Sequence, residues 1–224
     1  MLGDWNLFAI LTVAAFGYML GNVQTALIIS RIKFHDDVRL YGSGNAGTTN
    51  MIRVYGKYYG LLTFVGDAGK CAIGFLFGRL LAHWLGLNGA DPALSVLFGG
   101  YIASTAVVVG HCYPILFEFK GGKGAACAFA MMWCLCWQAA LLSTVLAVVI
   151  FLAWKRVSLV SVLTGIIYLI AAFLARALGY TSPYMMYFVA PVVALILLRH
   201  KDNIKRLIRG EEKALEPKDE KREK

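Results

Sequence analysis

The chain has 224 residues, 59% of them hydrophobic and 16% charged, with a mean hydropathy of +0.65 and a formal net charge of +9. A soluble domain usually carries about 25% charge, so the composition excludes an ordinary water-soluble globule. The basic residues gather beside apolar runs, which excludes nucleic acid as the natural partner and points to a membrane face.

A helix needs about 20 mostly apolar residues to cross a bilayer. Such runs lie near 5–30, 58–82, 93–110, 125–153, 157–178 and 184–199. Residues before the first run lack the basic n-region of a cleavable signal, so it is expected to stay as an anchor. The run at 125–153 exceeds what one crossing needs, and Trp133, Trp137 and Gln138 in its middle suit an interface. Dividing it there predicts an all-α bundle of seven transmembrane helices. Its two middle spans are short, and one of them can be an incomplete crossing.

Charge sets the sidedness. With the N-terminus outside, segments 31–57, 111–124, 155–156 and 199–224 face inward and hold 5, 2, 2 and 10 of the 22 Lys and Arg. The positive-inside rule favours that arrangement over six spans, which would expose Lys155 and Arg156 outside. Residues 1–210 then form one transmembrane domain. The mixed-charge tail at 211–224 is too polar to bury a core and is expected to be disordered.

Three polar clusters sit at inward span edges. The first is Gly42-Ser43-Gly44-Asn45-Ala46-Gly47-Thr48-Thr49-Asn50, with Arg53 following. It matches G-x-G-x-x-G, and Asp67 lies 20 residues beyond the last glycine, but no strand precedes it, so a dinucleotide fold is excluded. Its glycine amides, the hydroxyls and amides of Ser43, Thr48, Thr49, Asn45 and Asn50, and the fork of Arg53 suit a phosphate. A flexible loop capping a helix at Thr49 or Asn50 fits these residues equally well.

Inside the second span, Asp67 and Lys70 lie three apart and can compensate one another's desolvation; intramembrane ions are functional by default, and a purely structural pair fits equally well. The second cluster runs from Gly110-His111 to Lys120-Gly121-Gly122-Lys123-Gly124. It lacks the Ser or Thr of a Walker loop, yet lysines and glycines just ahead of an apolar helix make an anion cup. His111 beside Cys112 is not read as a nucleophile pair, because such pairs are built from distant segments. None of the five cysteines has metal or disulfide spacing. In the third cluster, His200, Asn203 and Arg206 recur at steps of three and share a helix face.

Together these clusters resemble the bacterial acyl-phosphate:glycerol-3-phosphate acyltransferase family. Gly-Ser-Gly-Asn-x-Gly-x-Thr-Asn-x-x-Arg is matched by 42–53, Gly-His-x-x-Pro-x-x-x-x-Phe-Lys-Gly-Gly-Lys-Gly by 110–124, and His-x-x-Asn-Ile-x-Arg-Leu-x-x-Gly-x-Glu by 200–212. In the family's Asp-x-x-Lys-Gly element, Cys71 replaces the glycine. The resemblance implies a multi-pass protein of the bacterial inner membrane with a cytoplasmic site. That site would move a fatty acyl group from acyl phosphate to the sn-1 hydroxyl of glycerol 3-phosphate.

It further implies that Ser43, Arg53, Lys120 or Lys123, His200 and Asn203 grip glycerol phosphate. Gly121, Gly122 and Gly124 would line a phosphate cup, with Gly42, Gly44, Asn45, Gly47, Thr49, Asn50 and Arg206 also binding. The base would be His200, His111 or a substrate phosphate. Glu212 would hold a basic residue, and Asp67 and Lys70 would be structural. No metal or cofactor is expected, and the enzyme is expected to act as a monomer among membrane lipids. The rival reading is a transporter of phosphate or a small organic anion, but its usual repeated halves are not visible. A lipid-binding scaffold would explain the basic edges but not the glycines.

Overall fold

The computed structural model describes residues 6–87 and 92–215, so the last part of the expected tail lies outside it. Within those residues the chain is all helical. Five helical stretches are long and apolar enough to cross a membrane: Leu7–Phe34, Lys57–Trp84, Leu94–Phe117, Trp137–Trp154 and Val157–Ala177. Two shorter apolar helices, Ala125–Leu135 and Met186–Arg199, pack among them. Leucines, valines and aromatics along their outer faces stay exposed, as expected where lipid is the solvent.

The first run differs from the single helix expected at 5–30. It breaks into α1 (Leu7–Gly21) and α2 (Thr25–Phe34). A break in apolar surroundings frees backbone groups that must find other partners. Asn22 donates its side-chain amide to Tyr18 O (2.8 Å) and accepts from Leu116 N (3.1 Å). Gln24 Nε2 donates to the carbonyls of Gly21 (3.3 Å) and His111 (3.2 Å). The carbonyl of Val23 receives the ammonium of Lys70.

After a 3₁₀ turn at Val38–Leu40 come the short α3 (Thr48–Tyr55) and the long α4 (Lys57–Trp84), which packs against α5 (Pro92–Cys112) and α1. Small residues permit the α4–α5 approach: a Cβ on Gly78 would lie 2.6 Å from Gly99 O, and one on Gly99 2.5 Å from Gly78 O. The next apolar run divides at a single extended residue, Cys136 (φ −153°, ψ 92°), between α6 (Ala125–Leu135) and α7 (Trp137–Trp154). At about 1.5 Å per residue, α6 is only roughly 16 Å long, about half the apolar thickness of a bilayer. Helices α8 (Val157–Ala177), α9 (Met186–Arg199) and α10 (Lys201–Ile208) complete the fold.

One end of the bundle collects the polar segments. Arg39 Nη1 on the first loop donates to Lys120 O on the second (3.4 Å), and Arg199 at the end of α9 donates to the carbonyls of Gly121 (3.1 Å) and Gly122 (3.0 Å). Leu215 N donates to Lys155 O at the α7–α8 turn (2.8 Å). The described start of the tail therefore lies against the bundle as far as Leu215.

Candidate active site

Two cavities open from this end. One, of about 950 Å³, is a polar basin edged by Asp37, Arg39, Lys120, Arg199, Asp202 and Arg206 among others. The other, of about 490 Å³, runs down between α6, α7, α8 and α9 over apolar side chains such as Met132, Phe151 and Val193. Six residues line both: Ser43, Asn45, Arg53, Lys123, Asn203 and Glu212. Polar basin and apolar chamber thus meet at one wall built from all three clusters.

The first cluster reaches this wall through the start of α3. Gly47, in extended conformation, ends the loop, and Thr48 and Thr49 supply the first helical turn. First-turn amides have no carbonyl partner inside their own helix. Thr48, Thr49 and Gly47 all line the chamber, and the buried hydroxyl of Thr48 has no partner among the described residues. Gly42 and Gly44 edge the basin, both with positive φ, at 61° and 69°. Arg53 faces both cavities, and its guanidinium pairs with no carboxylate among the described residues.

Asn50 is placed elsewhere. Its Oδ1 accepts from Ser43 N (2.8 Å), and its Nδ2 donates to Val38 O (2.9 Å) and Tyr41 O (3.1 Å). It lines neither cavity, and it braces the loop that presents Ser43. A Cβ on Gly42 would lie 2.3 Å from that Oδ1, which accounts for glycine there.

The second cluster separates its two lysines. Lys120 is exposed and pairs with Glu118 (2.8 Å). Lys123 turns inward and donates to Asn203 Oδ1. Burial lowers its pKa to about 8, helped by Arg206, Arg199 and Arg53 and opposed by Glu212. Gly121 edges the basin and Gly124 the chamber, whereas Gly122 is buried and lines neither. Gly122 N donates to His111 O (3.1 Å), and a Cβ there would lie 2.1 Å from His111 Nε2. That glycine serves close packing of the loop on the His111 ring.

The third cluster converges on Glu212, which is only 6% exposed. Its Oε1 accepts from Ser158 Oγ (2.6 Å) and Asn203 Nδ2 (2.7 Å), and its Oε2 accepts from Arg206 Nε (2.7 Å). Burial alone would raise its pKa, but the bonds from Ser158, Asn203 and Arg206 hold it below the ordinary carboxylate value. Because Nδ2 of Asn203 faces Glu212, its Oδ1 is left toward Lys123. His200 Nδ1 lies 2.8 Å from Ile196 O, and a carbonyl can only accept, so Nδ1 carries the proton and Nε2 the lone pair. Desolvation takes the pKa of His200 down to about 4 despite that bond, with Lys123 pushing the same way, so the ring is neutral at pH 7.

Beneath these loops lies a buried ionic group. Lys70 Nζ sits 2.9 Å from Asp67 Oδ1 and 2.9 Å from His111 Nδ1, and Thr25 Oγ1 donates to Asp67 Oδ1 (3.1 Å). Asp67 and His111 line the chamber; Lys70 lines neither cavity. Cys112 is fully buried. Among the described residues no group of three His, Cys, Asp or Glu is arranged to hold a metal ion.

Sequence reasoning did not assign Arg199 or Ser158 to the site. Arg199 belongs to the third basic run and also lies over the Tyr113 ring, 5.0 Å from its centroid. Ser158 is a small polar residue at the start of an apolar helix and gave no distinctive signal.

A family model described as glycerol-3-phosphate acyltransferase matches residues 11–210. A glycerol-3-phosphate acyltransferase of Neisseria meningitidis serogroup A is 36% identical over 198 residues, covering 88% of this chain and 93% of the relative. One from Caulobacter vibrioides is 35% identical over 199 residues, covering 88% and 83%. The crystal structure of PlsY (YgiH), an integral membrane glycerol 3-phosphate acyltransferase, in its glycerol 3-phosphate form, superposes with a TM-score of 0.79 at 33% identity, covering 92% of this chain and 96% of that one. Its lysophosphatidic acid form gives 0.76 at the same identity. With the sequence motifs, the fold and the relatives in agreement, the chain belongs to the glycerol-3-phosphate acyltransferase family.

Proposed function

We propose that this enzyme transfers a fatty acyl group from acyl phosphate to the sn-1 hydroxyl of glycerol 3-phosphate, releasing lysophosphatidic acid and phosphate. The single observation that carries this reading is the wall shared by basin and chamber. A reaction between a soluble dianion and a greasy mixed anhydride needs a place where both environments touch. The basin, with seven cationic side chains against four carboxylates, suits the phosphates. The chamber suits the chain.

Acyl phosphate is already activated, because phosphate is a good leaving group, so no covalent enzyme intermediate is needed. The protein's work is to hold two anions together, screen their repulsion and aim the hydroxyl at the carbonyl. Arg53, Lys123 and the first-turn amides of α3 supply the positive field. Ser43, Asn45, Asn203 and His200 supply oriented hydrogen bonds, with Arg206 and Lys120 at the rim. His200 Nε2 accepts from the attacking hydroxyl and orients it. A phosphate oxygen, with a pKa near 6, is the stronger base beside a histidine near 4, so the proton ends on phosphate.

Topology follows the same reading. The two shorter apolar helices count as spans with the five long ones, giving seven, an outer N-terminus and a cytoplasmic site in the bacterial inner membrane. The contact of Leu215 with Lys155 supports it, because that turn shares an end with all three clusters. The chamber and basin are complete within one chain, which supports action as a monomer.

The test is to mix purified protein with palmitoyl phosphate and glycerol 3-phosphate and measure released phosphate and lysolipid. Vesicle uptake of glycerol phosphate without product would favour transport. Labelling of Asn203→Cys from outside intact cells would overturn the sidedness.

A further inference from the structure

His111 has one ring nitrogen engaged and one without a hydrogen-bond partner among the described residues. The ammonium of Lys70 has three N–H bonds and three acceptors: Val23 O, Asp67 Oδ1 and His111 Nδ1. An ammonium has only N–H groups to offer, so at 2.9 Å it donates to Nδ1, as it does to Asp67 Oδ1. A second proton on that ring would set imidazolium against ammonium in a buried site. The neutral ring therefore carries its hydrogen on Nε2.

That Nε2–H makes no hydrogen bond to protein among the described residues, although the side chain is only 3% exposed. Nε2 packs closely on Gly122, and the open space that the side chain borders is the chamber, where a bound group can supply the acceptor that the protein does not. His111 does not line the polar basin. Asp67, with an oxygen 3.5 Å from the ring, is paired with Lys70 at 2.9 Å, so the floor beneath His111 sets no unpaired carboxylate against an oxyanion. On the acyltransfer reading the donor's phosphate lies toward the basin and its chain in the chamber, so the carbonyl that joins them enters the chamber first.

We propose that His111 Nε2–H donates a hydrogen bond to the carbonyl oxygen of the acyl donor and stabilises the oxyanion that forms there. The inference rests on the acyltransfer reading above. As the sn-1 hydroxyl oxygen bonds to the carbonyl carbon, the C=O π pair moves onto oxygen beside His111. The pair then returns, the bond from carbon to the phosphate oxygen breaks, and the hydroxyl proton leaves with the phosphate. Lys70 is a positioning residue, because it fixes the tautomer that leaves a donor, and only a donor, toward the substrate. His111 is thereby removed from the candidates for the base.

The experiment compares His111→Phe, His111→Gln and His111→Asn in the palmitoyl phosphate assay. Loss of one oxyanion donor lowers kcat about 100- to 1,000-fold, with KM for glycerol 3-phosphate within roughly threefold. The Gln variant, whose amide reaches as far as Nε2, recovers at least about tenfold over Asn, whose amide does not. If Phe fails to fold, the Gln–Asn comparison decides. A merely structural role would instead raise KM by displacing Lys123 while leaving kcat intact, and that result overturns the proposal. In ¹⁵N-histidine-labelled protein, Nε2 of His111 gives a protonated, pyrrole-type signal; a pyridine-type signal there also overturns it. Wild-type enzyme that forms no lysolipid would sink the acyltransfer reading itself, whereas active wild type with an equally active His111→Phe sinks only this inference.

Discussion

Replacing Glu212 tests how the third cluster is held. In Glu212→Gln, the side-chain oxygen can still face Ser158 and Asn203, but the new NH₂ then meets Arg206 Nε–H donor to donor. A charge-assisted hydrogen bond contributes about 1.5–3 kcal/mol, and the 44% exposure of Arg206 discounts this arm to about 1 kcal/mol. The bond to Asn203 turns from charged to neutral and loses roughly half its strength, about another 1 kcal/mol. If Asn203 must face Lys123 for catalysis, about 2 kcal/mol corresponds to roughly a 30-fold fall in kcat/KM. In Glu212→Ala, two buried donors also lose their acceptor, which takes the loss to about 4 kcal/mol, or roughly 1,000-fold. Arg206→Ala removes only the exposed arm and falls about fivefold. The assay is lysolipid formation by detergent-purified enzyme, with melting temperature as a folding control. Glu212→Ala retaining more than about half of wild-type kcat/KM would refute the claim that the carboxylate organises the site.

Arg53→Ala is expected to leave the protein folded, because the guanidinium has no ion pair to lose among the described residues, and to lower acyltransfer about 100-fold or more; unchanged turnover defeats its assignment as an anion clamp. Lys123, with a pKa near 8, loses its charge as pH rises through that value, so KM for glycerol 3-phosphate should climb by about tenfold between pH 7 and 9 and Lys123→Arg should flatten the rise. The same lowered pKa has the opposite sign for stability: the folded state sheds the proton before the unfolded chain does, so this group makes stability rise with pH above about 8, toward the usual lysine value. Cys112→Ser should keep activity and lower the melting temperature slightly, since it places a hydroxyl at a fully buried position beside Gly124; complete loss of turnover in folded protein would revive a nucleophilic cysteine.

How much of this site could be read in advance depends on which side of a residue matters. The glycine, lysine and asparagine clusters stood out because an apolar background makes any polar run visible. Their composition could not say which members face a ligand. Asn45 and Asn50 look alike in sequence, yet one lines both cavities and the other is enclosed by Ser43, Val38 and Tyr41. Lys120 and Lys123 differ only by the two glycines between them, and the loop sends one to solvent and one to Asn203. The break in the first span was hidden because Asn22 and Gln24 are short interruptions in an otherwise apolar run. Their partners, Leu116 and His111, lie about 90 residues away.

The buried ions beneath the site link these points. Asp67 and Lys70 are three apart on α4, which sequence alone makes a pair, but their third partner comes from the end of α5 and their fourth from the break between α1 and α2. A lysine at that depth would be costly as a lone charge. Here one ammonium joins three helical segments at the level where the Lys123 loop begins. His111, held through Nδ1, carries the amide of Gly122 on its carbonyl, and Arg199 holds the carbonyl of that same glycine. The position of Lys123 is thus set from below by Lys70 and from above by α9. The second glycine cluster is therefore a tightly seated loop on an ionic floor, and anion binding falls to the lysine it presents rather than to all of its glycines.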